Sequence, residues 1–247
     1  MLRSQATDTT SQREDADLET SSADYAQRFT GPVGAWFLEL QARSTLELLT
    51  PWPAASVLDL GGGHGQLTGP LLEAGHRVTV YGSAEVCRER VAGWVDAGQA
   101  RFACGDLLHA PWPDQSFDVV LCFRLLPHVT RVAELAGELC RLARRAVVVD
   151  YPTRRSLNAV SGAFFGLKRR VEGNTRPFTV FRDAELVGAF EAQGFRVVGR
   201  RPQFLFPMAL HRALGVAGIS RGLEAAGSAL GLTRAFGSPV ILRLERG

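Results

Sequence analysis

The chain has 247 residues, 46% of them hydrophobic and 21% charged, with a formal net charge of +3. That length and apolar content suit one α/β domain with a sizeable core, and the weak positive surplus has no interleaved aromatics that would point to nucleic acid. No apolar run nears the ~18 residues of a membrane span, and the polar start Met1-Leu2-Arg3-Ser4 has no secretory core, so a cytoplasmic protein is expected.

Residues 1–22 set five acids against Arg3 and Arg13 and read as a disordered acidic tail, leaving 23–247 as the folded domain. Tyr25–Phe29 and Trp36–Leu49 read as helices, broken at Thr30-Gly31-Pro32. Pro51 and Pro53 close the second before a strand at Ser56–Leu60, and a helix over 65–74 then ends at Gly75. Next come a strand at Arg77–Tyr81, a helix at Ala84–Ala97, and strands at Ala100–Cys104 and Phe117–Cys122. Helix Val129–Ala143 leads to Ala146–Asp150, an apolar run of the kind buried on both faces. A connection over 151–181 contains a helix at Ser156–Leu167, and helix Asp183–Gln193 follows it. Strand Phe195–Phe206, a helical pair within 208–230 and strand Pro239–Leu244 finish the chain. Alternation of this kind implies a parallel, doubly wound sheet. The cysteines (Cys87, Cys104, Cys122, Cys140) have no C-x-x-C spacing and read as core residues of a reducing compartment, with no metal site.

The most informative stretch is Val57-Leu58-Asp59-Leu60-Gly61-Gly62-Gly63-His64-Gly65-Gln66. A buried strand runs into a turn where glycine at alternate positions lets the backbone approach a ligand closely. A dinucleotide loop needs G-x-G-x-x-G. From Gly61 the sixth position is Gln66, and from Gly63 it is Thr68. With the acid before the first glycine, Asp59-x-Gly61-x-Gly63-x-Gly65 resembles the first motif of class I S-adenosylmethionine-dependent methyltransferases.

The resemblance implies a Rossmann-like seven-stranded sheet of order 3-2-1-4-5-7-6 with the last strand antiparallel, and S-adenosyl-L-methionine as cofactor. It assigns Gly61, Gly63 and Gly65 to the methionine part and Asp59 to its ammonium. The family's ribose-binding acid falls at Gly82, where this sequence departs, and Ser83 or Glu85 is the expected substitute. Asp106 would accept from the adenine amino group, with Leu107 packed on the ring. Phe123, opening the loop after the fourth strand, is a further expected cofactor contact, and Tyr25, Arg28 and Phe29 resemble a lid over the cofactor. His128 and Tyr151 are the candidate catalytic residues, and His211 a candidate lining the acceptor pocket.

The acceptor is expected to be a small hydrophobic metabolite (a quinone precursor, a lipid or a secondary metabolite) carrying an anionic group, because phenylalanines and arginines mix in 151–181. O-methylation is slightly favoured, since no Asn/Asp-Pro-Pro-Tyr follows the fourth strand. Ala163–Arg170 reads first as a packed helix with a basic end and second as a peripheral membrane contact. The alternatives are an NADP-dependent oxidoreductase, with Arg88 or Arg90 on the 2′-phosphate, and a non-catalytic cofactor-binding or membrane-associated protein.

Overall fold

The computed structural model describes residues 13–156 and 178–247. Three helices precede the sheet: α1 (Asp17–Thr20), α2 (Ala23–Gln27) and α3 (Gly31–Leu49). The seven strands are β1 (Ser56–Leu60), β2 (Arg77–Gly82), β3 (Arg101–Cys104), β4 (Phe117–Cys122), β5 (Ala143–Tyr151), β6 (Phe195–Pro202) and β7 (Val240–Arg246). They lie in the order β3-β2-β1-β4-β5-β7-β6. Neighbours from β3 to β5 are parallel, and β7 runs antiparallel to both β5 and β6. The expected topology is the observed one.

The crossovers are α4 (Thr68–Glu73), α5 (Ala92–Asp96), α6 (Val132–Leu142) and α7 (Asp183–Glu191). Strand side chains alternate between faces. Leu58, Val120, Val147 and Val149 pack with Leu135 and Leu139 of α6 and Phe190 of α7. Val57, Val119, Leu121 and Val148 pack with Leu48 of α3 and Leu71 of α4 on the other face. Each such side chain contributes roughly 1.5–3 kcal/mol by burial. The same alternation puts Asp59 and Asp150 on the α3–α4 face and Tyr151 on the α6–α7 face.

Several boundaries depart from expectation. The expected disordered tail is built into the fold from residue 13 onward, because Ala16, Asp17 and Thr20 are buried against the domain. The expected 84–97 helix divides into a 3-10 stretch, Glu85–Val91, and α5. The β6 strand stops at Pro202, and Phe204 is instead drawn into an aromatic cluster with Trp36 and Phe37 of α3. The expected helical pair is three helices, α8 (Met208–Leu214), α9 (Ala217–Ala229) and α10 (Leu232–Phe236). The helix expected at Ser156–Leu167 falls almost wholly outside the described residues, as does most of 151–181.

This three-helix excursion between β6 and β7 is fastened by polar groups. His211, fully buried among Trp36, Phe37 and Phe204, has Nε2 2.9 Å from Glu224 Oε1. It is therefore part of this fastening, with no surface left exposed. Glu224 also accepts from the backbone N–H groups of Leu205 (2.8 Å) and Phe206 (2.9 Å). Removing one partner of a buried charged cluster leaves the others desolvated and unpaired. Glu224→Ala should therefore cost about 2–4 kcal/mol in denaturant unfolding, while Leu210→Ala on the exposed side of α8 should cost under about 1 kcal/mol.

Candidate functional site

The site is built at the carboxyl edge of the parallel strands, where β1 turns into the 3-10 stretch Gly62–His64. Gly61 and Gly65 bracket that stretch with φ of +76° and +69°, left-handed values that glycine adopts without a Cβ penalty. Gly63 answers to a different constraint. A Cβ there would stand 2.5 Å from Ser21 Oγ and 2.7 Å from Cys87 Cβ, so the turn is closely covered.

Asp59, the residue before the turn, is fully buried, and neither carboxylate oxygen has a hydrogen-bond partner. Burial, followed by the charge of Asp150, pushes its pKa up to about 7. A carboxyl group in this state holds a proton or awaits a cation. His64 is held neutral, its pKa lowered to about 3 by burial and then by Arg124, and its Nδ1 accepts from Gln66 N–H at 3.1 Å. Asp150, at the end of β5, receives the backbone N–H of Arg124 at 2.6 Å and faces the guanidinium at 3.6 Å. Arg124 itself takes a left-handed φ of +62°, stacks 4.7 Å above the Phe29 ring and donates to Gln41 of α3.

The N-terminal segment lies across this edge. Asp17, fully buried, accepts the Ser83 N–H at 2.8 Å and the Cys87 thiol at 3.3 Å through Oδ2, while Oδ1 has no partner. Arg13 donates to Ser83 O at 3.3 Å, and Arg90 donates to Ser21 O (2.9 Å) and Ser22 O (3.1 Å). A carboxylate thus does stand at the tip of β2, supplied from α1 across 66 residues of chain. Gly82 has little room for one, because a Cβ there would approach Cys87 Cβ to 2.6 Å.

The expected residues divide into those at the turn and those away from it. Asp59, Gly61, Gly63, Gly65 and Ser83 come together, Ser83 with its hydroxyl buried and unpartnered. Leu107 and Phe123 are fully buried, in the clusters on opposite sides of the sheet. Asp106 follows β3 with its carboxylate turned on its own loop, accepting Leu108 N–H at 3.1 Å and lying 2.9 Å from His109 Nδ1. Burial works against its ionisation, but the bonds from His109 and Leu108 outweigh it and lower its pKa. Glu85 is exposed and accepts the Cys104 thiol at 3.4 Å, so Asp17 rather than Glu85 is the acid against Ser83. Arg28 is exposed and stacks on Tyr25 at 4.8 Å. His128 has Nδ1 3.9 Å from Glu19 of α1, with its ring against Phe178. Tyr151 is not brought to the turn: it is buried on the opposite face from Asp59, packed against Phe181. Burial first, then neighbouring Asp183, raises its hydroxyl well above the usual range.

Sequence reasoning passed over Asp17, Gln41, Arg124 and Asp150. For the last two a signal existed, in that each interrupts or closes an apolar run at a strand end. For Asp17 and Gln41 there was none, since each lies among ordinary polar residues of a helix or tail.

Residues 58–148 match a family model described as a methyltransferase domain. No curated protein sequence matches the chain. Among solved structures, magnesium protoporphyrin IX methyltransferase from Synechocystis PCC 6803 with bound SAH is similar at a TM-score of 0.64 and 16% identity, over 93% of this chain and 97% of that one. Geranyl diphosphate methyltransferase in complex with SAM gives 0.58 and 16%, over 84% of each. The [4+2]-cyclase SpnF gives 0.57 and 17%, over 83% of this chain and 80% of that one.

If a ligand's ammonium is placed beside Asp59, the carboxyl must ionise. The free protein holds that proton below pH of about 7 and the complex does not, so binding releases it. Affinity for S-adenosylhomocysteine should therefore rise with pH up to about 7 and level off above. Calorimetry in buffers of differing ionisation heat measures the released proton. Asp59→Asn should remove both the pH slope and the proton release.

Proposed function

We propose that this chain, which carries a methyltransferase domain on the class I S-adenosylmethionine-dependent methyltransferase fold, transfers a methyl group to a hydroxyl of a small hydrophobic acceptor bearing an anionic group. The observation that carries the cofactor assignment is Asp59, buried and unpartnered beside a turn of left-handed glycines. Such a carboxyl fits a cationic amino group, and nothing in a pyrophosphate would satisfy it. When bound, the cofactor supplies an electrophilic methyl group on a sulfonium that departs as a neutral thioether.

The chain's own residues bind and orient. Asp59 takes the ammonium, and the glycine turn presents backbone to the amino-acid end. Asp17 Oδ1 and Ser83 Oγ, both buried without partners, accept from the ribose diol, the task that the family gives to an acid at the Gly82 position. Asp106, fixed by His109 and Leu108, keeps lone pairs for the adenine amino group. Proximity and alignment carry most of the acceleration of such a displacement, and a hydroxyl acceptor must also lose its proton. Of the two candidate bases His128 suits this better, since Tyr151 is buried on the other face of the sheet with its proton held tightly. The acceptor class draws on the phenylalanines and arginines in 151–181, and resembles in makeup the acceptors that the names of two structural neighbours print, a geranyl diphosphate and a protoporphyrin.

Calorimetry with S-adenosylhomocysteine and with NADP tests the cofactor: the first should bind, and binding of NADP alone would sink the proposal. Asp17→Asn preserves an acceptor for Ser83 N–H but replaces a charged acceptor. It should weaken S-adenosylhomocysteine roughly tenfold and leave its 2′,3′-dideoxyribose analogue unaffected. Equal loss for both ligands would make Asp17 a structural residue only.

A further inference from the structure

The helices α8 to α10 bury polar side chains and expose apolar ones, with only Met208 and Ala217 set partly against the aromatic cluster of α3 and Phe204. Soluble helices turn an apolar stripe toward the core, yet the buried residues of α9 are Ser220, Glu224 and Gly227, at i, i+4 and i+7. Its exposed stripe is Ile219, Leu223, Ala226 and Leu230, also at helical spacing, with Ile219 53% and Leu230 75% exposed. The short helices on either side repeat the inversion. In α8 the buried residue is His211, with Leu210 and Leu214 exposed. In α10 it is Thr233, with Leu232 and Phe236 exposed. Of the twelve exposed large hydrophobic residues among the described residues, eight fall between residues 210 and 236. Scattered exposed aliphatics are ordinary, whereas a contiguous patch marks a surface that meets something apolar.

Charge says what that partner is. Glu224 is the only acid between Pro207 and Ser238, and it is buried in the fastening with His211. The charged side chains left on the outside are cations: Arg212, Arg221 and Arg234. Arg221 also reaches Glu39 at 3.0 Å, an exposed pair that high dielectric weakens. An apolar stripe on helices whose own outward charges are all arginines is complementary to a surface with acyl chains and negative headgroups. A second copy of the chain would instead bring arginine against arginine across a two-fold contact.

We propose that α8, α9 and α10 form a peripheral membrane-docking face that seats this protein on an anionic lipid surface. The Glu224–His211 fastening holds the three helices to the domain from within, so the apolar stripe remains available outward. This inference stands apart from the cofactor assignment and uses none of its residues.

The test is co-sedimentation of the full chain with phosphatidylcholine vesicles with and without phosphatidylglycerol. Binding should require phosphatidylglycerol and weaken with added salt. The double variant Leu223→Glu and Leu230→Glu, which alters exposed positions only, should lose more than tenfold in vesicle binding while keeping the thermal transition of the parent. Equal vesicle binding by the variant, or none by the parent, overturns the proposal. So does a parent that self-associates without lipid and is made monomeric by the double variant, which would assign the face to a second copy. If S-adenosylhomocysteine fails to bind while vesicles do, the cofactor assignment falls and the docking face stands.

Discussion

Two carboxylates, Asp59 and Asp150, are buried at one edge of one sheet, on one face of it, and the surrounding architecture answers to their charge. Parallel strands bring their carboxyl ends to the same edge, and side-chain alternation sends both acids toward α3 and α4. Asp150 is satisfied locally, by the N–H and guanidinium of Arg124. Holding that arginine requires a left-handed residue at the end of β4, an acceptor from Gln41 of α3 and an aromatic face from Phe29. Asp59 is left without a partner, and Asp150 nearby makes its ionisation harder. Of the two acids, Asp150 takes the Arg124 guanidinium and Asp59 stays unpaired. A site that binds a cationic amino group needs that asymmetry.

The sheet was legible in the sequence because its strands are apolar runs between strong breakers. Strand β1 between Pro53 and Gly61 and strand β4 after the Pro113-Asp114-Gln115-Ser116 turn needed no tertiary information. Boundaries failed where tertiary contacts overrode local pattern. Phe204 continues the β6 alternation in sequence but is captured by Trp36 and Phe37. Ala16 and Asp17 look like tail because few apolar neighbours surround them, yet Ala16 joins the main core and Asp17 is buried against Cys87, seventy residues away. The same limit governed the site. Asp59 and the glycines are adjacent in sequence and share a motif, whereas the Asp17–Ser83 contact joins segments whose proximity no local spacing encodes. Glu85 is the acid nearest to Ser83 along the chain, whereas the carboxylate that meets the Ser83 amide in space is Asp17.

The inverted helices α8 to α10 show a related limit of periodicity. The spacing Ile219, Leu223, Ala226, Leu230 announces an amphipathic helix, and ordinary experience puts that stripe inward. What reverses it is one buried acid: Glu224 caps the Leu205 and Phe206 amides and holds His211, so the helix must present that side to the domain. A carboxylate with three hydrogen-bond partners inside outweighs the orientation that the aliphatic side chains would otherwise select.

The segment carrying Asp17 has a consequence in time. It covers the glycine turn, yet α1 is four residues long, and besides the burial of Ala16 and Thr20 its ties include the carboxylate on Ser83 and Arg90 on two carbonyls. Each of those contacts is worth about 1–3 kcal/mol at most, far less than the cooperative sheet beneath. Such a cover opens by local unfolding, many times for each global opening of the domain. A ligand seated at the turn would then exchange on the timescale of this short strap's opening, without waiting on the sheet.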